Sequence, residues 1–170
     1  ENGMTKKIGL IAIVILIAIA AFAINMRRSR MMGGAGSQIE LMAVSADGSQ
    51  ISPAADVISI TGELPAGKAA QQLDGMIVVL SLNPYPPSVG QGEFDITLTD
   101  LNGQAINDAV ISLDLTMPAM RMPPNQPVME FVSDGNYHTT AYYTMRGWWR
   151  IEVIITRANE TQSAFFDLGL

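Results

Sequence analysis

Along residues 76–168 the hydrophobic positions recur every second residue in short runs, and each run ends in a cluster of turn-forming residues. That period is the signature of half-buried strands. The runs lie at 76–82, 93–99, 110–117, 128–132, 137–145, 148–156 and 163–168. Between them stand Asn83-Pro84 through Gly92, 100–108, the proline-rich 118–127, Asp134-Gly135-Asn136, Arg146-Gly147 and 157–162. About seven strands at this spacing predict an all-β, immunoglobulin-like antiparallel sandwich.

The alternation also assigns faces. Phe94, Ile96 and Leu98 share one side of their strand, opposite Glu93, Asp95 and Thr97. Ile111, Leu113, Leu115 and Met117 share another, as do Trp149, Ile151, Val153 and Ile155. The same reading puts Tyr137, Thr139, Ala141, Tyr143 and Met145 inside and His138 and Thr140 outside.

The pattern changes completely at the N-terminal side. Residues 8–24 are seventeen positions with no charged or hydrogen-bonding side chain, eleven of them Ile, Leu, Val or Phe. At their usual insertion energies those eleven favour the bilayer by about 3 to 6 kcal/mol. One N-terminal transmembrane helix is therefore expected within 1–30, flanked by Lys6 and Lys7 on one side and Arg27, Arg28 and Arg30 on the other. A signal peptide cleaved after Ala21-Phe22-Ala23 is the competing reading, and seventeen apolar residues exceed a usual signal core. The flanking charges nearly balance, so they do not orient the span.

Residues 31–75 read as a Gly-, Ser- and Ala-rich flexible tether with extra short strands, a weak one around 39–44 and another at 57–62, followed by a loop over 64–75. The sandwich domain is expected over 76–170. Gly33-Gly34-Ala35-Gly36 opens no helix and has no following Lys-Ser or Lys-Thr, which argues against a phosphate loop.

Charge and composition then remove function classes. The net charge is −6, but residues 1–30 carry +4 and residues 31–170 carry −10. An acidic body repels phosphate backbones, so nucleic acid is excluded as a partner. Without cysteine there is no disulfide, thiolate metal site or iron-sulfur cluster. His138 is the single histidine, and no G-x-S-x-G turn accompanies it, so no catalytic residue is assigned, and neither an enzyme nor a small-molecule substrate is expected.

Two constellations retain chemical interest. Met117, Met120 and Met122 could offer soft thioethers to Cu(I), with His138 or Met145 completing the set. The plainer reading has Met117 ending a core strand while Met120 and Met122 fill an irregular gap beside Pro118, Pro123 and Pro124. Alternation sets His138 on the face away from Tyr137 and Tyr143, which separates it from the methionines. The second constellation is a partner contact through Met120, Arg121, Met122 and Trp148. Because Trp148 and Trp149 are adjacent, one must point outward, and Trp149 continues the apolar face.

The run Thr116-Met117-Pro118-Ala119-Met120-Arg121-Met122-Pro123, the turn Asp134-Gly135-Asn136-Tyr137 and the run 145–153 resemble the YtkA-like and FixH-like family of extracytoplasmic β-sandwich domains. Gly90 to Phe94 and Asp100 to Gln104 fit that family's opening hairpin, and the resemblance covers roughly 76–157. It implies a single-pass protein of the cell inner membrane with its C-terminal domain on the periplasmic side. Some relatives are similar to assembly factors of haem-copper oxidases and others sit near copper-handling proteins. The expectation is a non-catalytic subunit or assembly factor of a respiratory or photosynthetic electron-transfer complex, without a cofactor. The alternative is a tethered Cu(I)-binding or copper-delivery module.

Overall fold

The computed structural model describes residues 40–52, 57, 61 and 64–170. The apolar run at 8–24 lies outside them, and no helix among the described residues is long and apolar enough to cross a membrane. Among the described residues nine strands form: β1 Met42–Val44, β2 Lys68–Leu73, β3 Met76–Asn83, β4 Gly90–Asp100, β5 Val110–Thr116, β6 Glu130–Ser133, β7 Asn136–Tyr143, β8 Trp148–Arg157 and β9 Glu160–Gly169. They make two antiparallel sheets, ordered β1-β9-β8-β5 and β2-β3-β4-β7-β6.

The seven predicted strands are β3 to β9, and their inner faces follow the period of two except in the expected 128–132 run, where all four residues of β6 are exposed because it is the edge strand of its sheet. Phe94, Ile96, Leu98, Ile111, Leu113, Leu115, Trp149, Ile151 and Val153 are all fully buried in one core between the sheets. Short turns hold the register. Asp134-Gly135 and Ala158-Asn159 each join two strands with positive φ at both positions, the geometry that matches the right-handed twist of a hairpin. At Gly135 an added Cβ would lie 2.4 Å from the Leu98 carbonyl oxygen, so this turn admits only glycine.

The weak strand expected near 39–44 forms as β1. Other expectations need correction. The expected loop at 64–75 contains β2, which brings the strands among the described residues to nine. Sequence Lys68-Ala69-Ala70-Gln71-Gln72-Leu73 has little β propensity, yet its inner face meets the core through Ala69 and Gln71. On its outer face Ala70 joins Ile77 of the neighbouring β3 in a second small core with Val57, flanked by Leu64 and Val79. The expected strand at 57–62 is also revised: Val57 and Thr61, its described residues, have helical backbone, and the Thr61 hydroxyl donates to the Val57 carbonyl. Finally, β7 ends at Tyr143, so Met145 leaves the inner face and is 41% exposed, while Thr139 is only partly buried.

Both open sides of the sandwich are closed. On one, the buried Gln71 side chain accepts the Phe165 amide of β9, and Gln162 of β9 bonds the backbone of Asp74 in both directions. On the other, one extended segment changes sheets. Asn125 and Pro127 accept amides of β5, and from Glu130 onward the chain pairs with β7 instead.

The two ends differ. The lower end holds the 73–76, 100–109, 133–136 and 157–160 connections. There the Tyr137 hydroxyl donates to the Ile106 carbonyl and accepts the Ala109 amide, tying the long 100–109 loop to the core. The upper end gathers the 84–89, 117–124 and 144–147 loops with Leu170, which exchanges backbone hydrogen bonds with Gly147.

Candidate functional site at the upper end

The upper end contains every methionine singled out in the sequence. β5 delivers Met117 at its end, where the side chain is buried and its methyl sits so close to Gly147 that a Cβ there would be 2.5 Å from it. The Met120 amide bonds back to the Met117 carbonyl, which turns the chain outward and leaves Met120 48% exposed. Met122 folds back, half-buried, against the core. Met145 sits on the facing turn, and its carbonyl accepts the Trp149 indole N–H at 3.1 Å. The loop thus divides its thioethers between the core and solvent.

His138 does not join them. It lies in mid-β7 on the outer face of the five-stranded sheet, five residues from Tyr143 and hence about 17 Å along the strand. Its Nδ1 is 2.8 Å from Asp95 Oδ1, with Glu130 directly across on β6. Among the described residues no group of three or more His, Asp or Glu side chains is placed to hold a metal ion.

Trp148 faces out, as the alternation requires, and is 37% exposed. Its surroundings are richer than the sequence suggests. The indole N–H donates to Asp167 Oδ2 at 3.1 Å, and Arg150 grips the same carboxylate through Nε at 2.8 Å and Nη2 at 2.9 Å. Arg150 also reaches the Ala46 carbonyl, so the 45–50 loop covers this cluster and leaves Asp167 buried. The Asp167 carboxylate in turn pushes the Arg150 pKa up, because it stabilises the charged guanidinium. Period-two reasoning missed Asp167, which sits on an outward-facing position in β9 and is buried beneath Trp148 and Arg150, the latter held in turn by the distant 45–50 loop.

Beneath the loops three aromatic rings stack toward the upper end: Phe94 meets Tyr143 at 5.6 Å between centroids, and Tyr143 meets Trp149 edge-on at 5.4 Å. Burial raises the Tyr143 pKa, and its hydroxyl has no hydrogen-bond partner among the described residues. The loops and this aromatic floor lie inside a stretch recognisable in other proteins, since the YtkA-like family model matches residues 68–154.

This chain belongs to the YtkA-like family.

The match runs from the first residue of β2 to within β8 and so takes in the Met-rich loop, the Asp134-Gly135 turn and the Trp148-Trp149 pair. It begins at the strand that lies upstream of the resemblance visible in the sequence. No curated protein and no solved structure matches the chain. Within this YtkA-like domain, the upper-end loops and the start of β8 carry the exposed Met120, Met145, Val89 and Trp148 together with Arg121 and Arg146.

Proposed function

We propose that this YtkA-like protein is a non-catalytic, single-pass subunit or assembly factor of a respiratory or photosynthetic electron-transfer complex in the inner membrane. In this reading residues 8–24 form the span, and an immunoglobulin-like sandwich stands on the periplasmic side and docks through its upper end. The observation that carries it is the composition of that end. Met120 is exposed beside Arg121, which has no side-chain partner among the described residues, and Met and Arg are among the residue types enriched where protein surfaces meet. Prolines at 118, 123, 124 and 127 restrict the loop, so little conformational freedom is lost on docking. The single imidazole is paired with Asp95 on an open sheet face, and among the described residues no hydroxyl is hydrogen-bonded to it, which fits a non-catalytic role.

The test is copurification in mild detergent. The combined change Met120→Ser, Arg121→Ser, Met122→Ser reduces recovery of the complex, and so does exchange of residues 8–24 for an unrelated apolar span. A wild-type protein that runs alone, or variants that copurify normally, overturns the reading.

A further inference from the structure

The cations of the sandwich are sorted by end. Arg157, at the lower end, is paired with Asp108, and Arg150 with Asp167. Lys68, Arg121 and Arg146 have no side-chain partner among the described residues, and all three lie at or beside the upper end. The lower-end turns carry Asp74, Asp100, Asp108, Asp134 and Glu160, whereas toward the upper end lie Glu40, Glu93 and Asp167, the last neutralised by Arg150.

Arg146 stands over a cleft of about 290 Å³ whose other walls are Pro87, Ser88, Val89 and Leu170. Val89 is 48% exposed there, and Met145 and Trp148 flank Arg146 along the chain. The chain also enters the sandwich at this end: Leu41 precedes β1, whose register places it level with Leu168 and Trp149, and its amide reaches the Tyr85 hydroxyl at 3.4 Å. Residues 25–39 separate this point from the apolar run, and fifteen residues reach at most about 50 Å in any conformation.

We infer that this side of the upper end rests on the lipid surface, with Arg146 taking the phosphate of an anionic phospholipid headgroup in the cleft and Val89, Met145 and Trp148 entering the interfacial layer. The inference rests on the membrane-span reading above. It leaves Met120, Arg121 and Met122, on the neighbouring loop, for a protein partner. Charge polarity makes the contact compatible with an acidic body. The ten residues of β8 span about 33 Å, several times the ~8 Å screening length at physiological salt, so lower-end carboxylates do not oppose contact at the upper end. An aromatic indole beside a basic side chain is the pairing that suits the headgroup region.

The two tryptophans provide the readout, because Trp149 is fully buried and Trp148 is not. The full chain is reconstituted in vesicles of acyl-brominated phosphatidylcholine with and without phosphatidylglycerol, and fluorescence is recorded at neutral pH before an alkaline wash and flotation. Quenching that requires phosphatidylglycerol, disappears in Trp148→Phe and weakens about fivefold in Arg146→Gln, the effect of one surface cation, supports the contact. A chain that survives the wash with Trp148 unquenched keeps its span and loses the lipid contact. A chain removed by the wash but quenched beforehand loses the span reading and keeps the contact. Trp148 unquenched in lipid alone but shielded in native membranes assigns the patch to a protein partner and overturns the inference, as does quenching indifferent to Arg146.

Discussion

Tyr143 packs edge-on against Trp149, with ring centroids 5.4 Å apart and planes at 78°, and it does so with its own hydroxyl unpartnered. The packing and the hydroxyl therefore work in opposite directions at one residue. An unpaired buried hydroxyl costs about 1 to 3 kcal/mol, whereas removing it leaves the ring contacts intact. Tyr143→Phe should accordingly hold or raise stability by about 1 kcal/mol in denaturant melts. A clear loss would mean that an ordered water satisfies the hydroxyl.

Trp149→Ala acts on the other partner. The indole is fully buried beneath the upper loops and anchors the 144–147 turn through Met145. The cavity should cost about 3 to 5 kcal/mol, much of the total stability of a small domain, so the variant melts early or fails to accumulate. An unchanged melting temperature is inconsistent with the packing described.

The Arg150 and Asp167 pair gives a third prediction. Asp167 is 2% exposed, so Arg150→Met leaves a carboxylate buried without its cation and should cost about 3 kcal/mol in thermal denaturation. Asp167→Asn, which keeps hydrogen-bonding capacity for Trp148, should cost less. If the two variants melt alike, the 45–50 loop does not seal the cluster as seen.

At the 45–49 turn, the Ser45 hydroxyl above all, then the Ser49 amide and hydroxyl, hold the Asp47 carboxyl down from its ordinary 3.8 to about 2. A depressed folded-state pKa contributes stability above the unfolded value, which is lost as pH falls through the folded one. The loop's contribution should thus fade between about pH 4 and pH 2. Asp47→Asn should lack this acid step in denaturation followed against pH, and an identical pH profile would refute the bonding pattern.

Two glycines with nearly the same φ separate backbone strain from crowding. Gly75 has open space where a Cβ would stand, and Gly75→Ala should cost about 1 kcal/mol, the strain of a positive φ. Gly135→Ala forces a methyl onto the Leu98 carbonyl and should be far worse. Equal melting shifts would show that the Asp134-Gly135 turn can relax.

Local alternation was sufficient to reveal β3 to β9, the inner face of most of them and the outward turn of Trp148, because each inward residue faces a continuous apolar layer and a slip of one position would invert the whole strand. It also separated His138 from the methionines. The Met-rich loop and its glycine turns carried enough local pattern to point to the YtkA-like family. Other features had no local signal. Lys68 to Leu73 becomes a strand because its inner face meets the core, its outer face is covered by Val57, and Gln71 caps a β9 amide 94 residues away. Asp167 is buried because the 45–50 loop, more than a hundred residues earlier, closes over Arg150. The sorting of unpaired cations to the upper end likewise arises only when distant turns are brought to one end of the sandwich. Period and propensity act over a few residues, whereas edge coverage, burial of an outer face and charge polarity depend on which distant segments the fold places side by side.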